Sequence, residues 1–160
     1  MLQNAIRAAR LDVDFYNTVE NDETYTKQAG LLVAIVGALV GLGNAFSPLT
    51  DGFFGPIFWG IGGALLGWVV WSFVTDFVGR TFFGGESDLG QMLRVLGYAQ
   101  APLALSIVPF VGWIGSIWAL VAAVVAIREG HDFTTGKAIG TVLVGWLIYL
   151  ILAGLAYALF

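Results

Sequence analysis

The chain has 160 residues, of which 58% are hydrophobic and only 11% charged, and its formal net charge is −4. Soluble domains carry roughly a quarter charged residues, so one domain of this size could not hide its apolar surface from water and the bilayer has to act as solvent. With no Cys, one His and no cluster of Lys and Arg, disulfides, thiolate or multi-His metal sites and a nucleic-acid footprint are excluded.

The first 27 residues hold five acids and no apolar run, so they do not read as a signal peptide. Leu2, Ala5, Ile6 and Ala9 follow an i, i+3, i+4, i+7 pattern, which Phe15, Tyr16 and Val19 continue. The spacing predicts an amphipathic arm over 1–27, as one helix or two short ones. Two placements are open: flat on the cytoplasmic leaflet, or packed on the protein's own loops.

Charges partition the rest into uncharged runs at 28–50, 52–75, 95–127 and 138–160. A spanning helix needs about 20 apolar residues. The first, second and fourth runs fit one crossing each. The third has 33 residues and as one helix would reach about 50 Å, well past one bilayer. Pro102, Pro109 and Gly112 lie within it, so a hairpin is predicted near Ser106–Gly112, with Pro109 in the first turn of the helix that follows.

The fold class expected is therefore all-α, a polytopic bundle of five transmembrane helices over 28–160 preceded by the short amphipathic arm. The spans fall at about 28–48, 54–78, 89–107, 109–128 and 138–159. With five spans, all seven basic residues, Arg7, Arg10, Lys27, Arg80, Arg94, Arg128 and Lys137, fall on one side. That side is expected to be cytoplasmic, with the C-terminus outside.

Few residues in the spans carry chemistry. Asp76 and Arg80 are four apart on one helix face and can pair; an acid at this depth is also a candidate proton or ion site. Arg94 and Arg128 can snorkel from the ends of short helices. Tyr98, Gln100 and Pro102 place polar groups and a missing N–H inside a crossing, which suits a fixed kink or a small polar cavity. Ser87 or Asp88 can cap the helix that follows the Gly84-Gly85 loop. His131, beside Asp132, is expected to be solvated. Glycines four apart (Gly37 and Gly41, Gly63 and Gly67, Gly136 and Gly140) suit close helix contact, either within the monomer or in a dimer seam. No Ser–His–Asp or paired-carboxylate arrangement can be assembled, so no catalytic residue and no cofactor is expected.

The stretch Arg94-Val-Leu-Gly-Tyr-Ala-Gln-Ala-Pro102, through Gly97-Tyr98 and Pro102, resembles the third-span signature of the Yip family, five-span membrane proteins named for interacting with Ypt/Rab GTPases. The Trp118-centred segment ending Ala126-Ile-Arg-Glu129, and Phe133-Thr-Thr-Gly-Lys-Ala138, resemble that family's fourth and fifth spans. Eukaryotic members carry a long cytosolic arm with an Asp-Leu-Tyr-Gly-Pro motif. This sequence shows no such arm, and Asp51-Gly-Phe-Phe-Gly-Pro56 is only a faint echo of it. The chain is thus similar to the bacterial or archaeal branch.

The resemblance implies a non-enzymatic scaffold or adaptor in a prokaryotic inner membrane. Membrane lipids and partner proteins of unknown identity are expected to contact it, and a homo-oligomer is possible. Two alternatives are a small transporter or channel using Asp76, Tyr98 and Gln100, and an accessory subunit of a larger membrane complex. Transport would favour paired broken helices in two related halves, whereas only the third span looks broken.

Overall fold

The computed structural model describes residues 1–46, 52–108 and 111–159, with side chains of the last helix described to Ile151. Pro109 and Asp51 lie outside the described residues, so the expected role of Pro109 at a helix start does too. The chain is all-helical, with no strand among the described residues. Its helices are α1 (Leu2–Ala9), α2 (Val13–Asn21), α3 (Tyr25–Ala45), α4 (Phe54–Phe83), α5 (Leu89–Ala99), α6 (Gly112–Gly130) and α7 (Thr135–Leu159). A 3-10 segment, Ala101–Ile107, continues α5.

Three helices, α3, α4 and α6, are long and apolar enough to cross a membrane, and the described part of α7 is a shorter apolar helix. The stretch between α4 and α6 is composite. At 1.5 Å per residue α5 alone covers only about 16 Å, and the seven-residue 3-10 segment at 2.0 Å per residue adds about 14 Å. Together they match a hydrocarbon core of about 30 Å. The cause of the switch is local. Pro102 has no N–H for an α-helical bond, and the turn tightens instead, with Gln100 N–H donating to Gly97 O and Leu103 N–H to Gln100 O.

Local chemistry sets the other ends. Asp12 accepts from Phe15 N–H at 3.1 Å and starts α2, while its carboxylate pairs with Arg7 at 2.7 Å. α4 stops at Gly84, whose φ of +69° is the left-handed conformation glycine tolerates best. Asp88 then opens α5 in a capping box with Gln91, both bonds 2.8 Å long. Asp88 rather than Ser87 is thus the cap.

The crossings alternate in direction. Gly37 and Gly41 of α3 lie against Gly60 and Pro56 of α4, and a Cβ at Gly37 would come 2.6 Å from Gly60 O. Gly97 of α5 sits against Ala29, and Trp68 Nε1 of α4 donates to Leu93 O at 2.9 Å. Gly115 of α6 rests on Pro102, and Gly140 of α7 on Phe83. The five basic residues on these helices and their ends, Lys27, Arg80, Arg94, Arg128 and Lys137, therefore lie at one end of the bundle, called here the basic end. The core lies towards that end, where Phe15, Tyr16 and Val19 of α2 pack with Ala29, Met92, Val95, Tyr98 and Ile127. The bundle's flanks expose large side chains such as Phe58, Trp59, Leu66 and Leu143. A belt of this size belongs in lipid.

The arm packs on the protein itself, against helices α5 and α6 rather than on the loops. Phe15 is 1% exposed, and Tyr16 and Val19 are fully buried. Only the outer face of α1, with Leu2 and Ile6 exposed, stays free for the leaflet.

Candidate functional site

The polar residues within the bundle concentrate at two places, a junction at the basic end and a groove at bilayer depth. The junction starts from Asp76, on the last two turns of α4 and 7% exposed. Ser87, in the loop after α4, donates its hydroxyl proton to Asp76 Oδ1 at 2.9 Å. Nδ1 of His131 lies 2.8 Å from the same Ser87 oxygen. A hydroxyl has one proton, and here it is directed at the carboxylate, so Nδ1–H of His131 is the donor to Ser87. The imidazole stacks on Phe133 with centroids 4.7 Å apart. It occupies the space that side chains at Gly79 and Gly85 would take.

His131 is 2% exposed, which corrects the expectation of a solvated histidine. Its loop folds inward: Phe133 N–H reaches back to Arg128 O at 2.8 Å, and Asp132 adopts φ +54°. The ring is thereby driven under α4. Burial holds the imidazole below its ordinary range, and the Asp76 charge counters this only in part. The order of bonds, His to Ser to Asp, differs from that of a nucleophile activated by a base. The Ser87 proton is committed to Asp76, and Ser87 itself is 6% exposed. The arrangement ties α4, the loop before α5 and the loop before α7 together. The Arg80 guanidinium reaches Asp76 only at 3.6 Å and is more than half exposed, so Ser87 is the closer partner of that carboxylate.

Arg94 does not snorkel. It is 6% exposed, and its Nε donates to Val19 O at 3.0 Å while Nη2 donates to Glu20 O. The guanidinium thus caps the C-terminus of α2 and clamps the arm to α5. The Glu20 side chain is pressed into the same seam. Oε1 accepts from Asn21 at 2.9 Å, and Oε2 is buried without a partner. Burial pushes this carboxyl up to about 7, with Asp132 and Glu129 adding to the effect. Tyr98, fully buried, meets Phe15 edge-on at 5.1 Å and donates to Gln28 at 3.3 Å.

Gln100 and Pro102 lie beyond this layer. Pro102 is buried under Gly115, at the start of the 3-10 segment. Gln100 faces a groove of about 580 Å3 bounded by α3, α4, the α5 crossing, α6 and α7. Asp76 and Tyr98 are absent from its lining, so the six residues singled out from sequence do not converge on one path. The glycine pairs also separate. Gly37 and Gly41 pack within the monomer as expected, whereas a Cβ at Gly63 or Gly67 would meet nothing within 4 Å. That corrects the contact within the monomer for Gly63 and Gly67, which line the groove instead. Among the described residues no three of His, Asp and Glu are grouped to hold a metal.

Sequence reasoning passed over Ser87 as a bridge, His131 as its partner and Glu20 as a buried acid. Its one available signal was Gly79 and Gly85, two small residues with no other task. A sequence model described as the Yip1 domain matches residues 14–158. No curated protein and no solved structure matches the chain.

Proposed function

The chain belongs to the Yip1 domain family and is a multi-pass membrane protein, and from that premise we propose that it acts as a non-enzymatic scaffold or adaptor. In this reading it sits in a prokaryotic inner membrane with the basic end in the cytoplasm and the C-terminus outside, and it binds partner proteins through its cytoplasmic face. One observation carries the reading. The polar groups that could have done chemistry are spent on other parts of the same chain: Arg94 on backbone carbonyls of α2, Asp76 on Ser87, and Tyr98 on Gln28. Such groups fix the shape of a surface; they do not turn over a substrate. Exposed basic residues such as Arg80 then decorate the face so fixed, a distribution that favours the cytoplasmic side.

The test is purification of the tagged full chain from its own membrane in mild detergent, followed by identification of what co-purifies. A partner present in constant ratio to the chain, and lost when Arg10 and Arg80 are changed to Glu, supports the adaptor. No partner, together with solute flux in reconstituted vesicles, would replace it with transport.

A further inference from the structure

Among the described residues, none fills the groove at bilayer depth. Its floor is a run of small residues on α4, Gly60, Gly63, Ala64 and Gly67, at one-face helical spacing. Trp59, Trp71 and Trp146 rise at its sides. α7 runs beside α4 at Gly145, where an added Cβ would meet Val74 and Trp71 within 4 Å, and Trp146, which lines the groove, is more than half exposed. Among the described residues the groove therefore opens sideways, past Trp146, to the apolar flank.

Three properties restrict what fills it. No charged residue lines it, so the occupant is not held by an ion pair. Water is a poor fit, because a buried water needs two to four polar partners. Ser116 already donates to Gly112 O at 3.1 Å, and the remaining polar groups, the Gln100 carboxamide, the Tyr149 hydroxyl and the indole N–H groups of Trp59, Trp71 and Trp146, are set in a wall that is otherwise apolar. Size then separates the apolar occupants. A helix with its side chains is about 10–12 Å across, so 580 Å3 would hold roughly one turn of it, far short of a crossing. A second copy presenting the same concave face is not complementary to it. A flexible acyl chain is a single file of methylene groups and can lie lengthwise in an apolar groove of this kind, entering from the bilayer at its open side.

We propose that the groove formed by Gly63, Gly67, Gln100 and Trp146 is a binding site for a single lipid acyl chain, entered sideways from the bilayer. The glycines keep it open, since any side chain at 63 or 67 would stand in its floor. With no charge in the lining, the chain is recognised by shape and the headgroup is left free. The site is independent of the adaptor reading.

The experiment places the full chain in vesicles of phosphatidylcholine doped with a phosphatidylcholine whose acyl chain carries a diazirine. After photolysis and digestion, adducts are mapped by mass spectrometry. Adducts are expected to concentrate on peptides containing Gly63–Gly67 and Leu96–Leu103, well above those at the outward-facing Phe58 and Phe73. Gly63→Leu with Gly67→Leu should melt like the parent, because both positions border open space, and should lose the groove adducts. Ala119→Phe, from the facing wall on α6, gives the same loss through a different helix and covers the case in which the glycine variant fails to fold. Equal labelling of groove and flank overturns the proposal, as does parent-like groove labelling in a well-folded filled variant. So does a dimer in mild detergent that Gly63→Leu disperses, which would seat a second copy there.

Discussion

Ser87 Oγ lies 2.8 Å from Nδ1 of His131, 44 positions further along the chain. The same oxygen donates to Asp76, so one hydroxyl joins three segments that the sequence keeps far apart. Removing it leaves a buried carboxylate oxygen and a buried imidazole nitrogen each short of a partner.

Ser87→Ala should therefore lower stability by about 1–3 kcal/mol, the cost of stranding buried polar groups. Arg80→Gln should cost at most about 1 kcal/mol, because its 3.6 Å contact is largely solvated. Double-mutant cycles of Asp76→Asn with each, read by thermal melting in detergent, should show stronger coupling to Ser87 than to Arg80. The reverse order would return Arg80 to the role expected from its i, i+4 spacing.

Two buried titratable groups at the basic end give opposite pH limbs. His131 is held below its ordinary 6.5 in the fold, so the unfolded chain takes up the proton first. Its contribution is complete above 6.5 and drains as pH falls through the depressed folded value. Glu20 is raised from 4.5 to about 7. Its contribution is complete below 4.5 and drains as pH rises towards 7. Melting temperature against pH should lose its upper slope in Glu20→Gln and its lower slope in His131→Phe. An unchanged profile in either variant would show that the group is solvated.

The Arg94 clamp is separable from the bundle. Its donors satisfy two carbonyls at the end of α2, and hydrogen bonds from a charged donor are worth about 1.5–3 kcal/mol. Arg94→Leu should expose the arm to limited proteolysis between Leu11 and Thr24, while fragments covering α3 to α7 persist. Cleavage at the parent's rate would mean that Phe15, Tyr16 and Val19 hold the arm alone.

The crossings were legible because charge is so costly in lipid that the uncharged runs mark them directly. The third was legible only as a break. Pro102 announces that an α-helix cannot continue, but the 3-10 continuation depends on Gly43 and Gly115 leaving room beside it. Spacing alone could not separate Gly37 and Gly41 from Gly63 and Gly67, since a glycine is defined by what its neighbours do with the space. His131 was misread for the same reason. Its burial is set by Gly79 and Gly85, which nothing in its own loop reveals.

The proposed orientation rests on the bias of basic residues towards the cytoplasmic side. A reporter fused after Phe160 should be active only outside the cytoplasm, and one fused before Met1 only inside. Cytoplasmic activity at both ends would require an even number of crossings and would undo the composite third span.

That composite span supplies the sharpest contrast between architecture and transport. Pro102→Ala restores an N–H and permits the α-helix to run on past Ala99. Seven residues converted from 2.0 to 1.5 Å per residue would shorten the crossing by about 3.5 Å. Ser106 would be drawn away from Gly43, and Leu105 from Gly115. Pro102→Ala is therefore expected to lower the melting temperature, with the loss traceable to the contacts of the 3-10 segment. Gln100→Leu acts differently, because the carboxamide faces the groove and replacing it extends an apolar wall. Stability should be unchanged or raised, and vesicles containing either parent or variant should be equally tight to solutes. Flux carried by the parent and abolished in a stable Gln100→Leu variant would make Gln100 a permeation residue and end the adaptor reading.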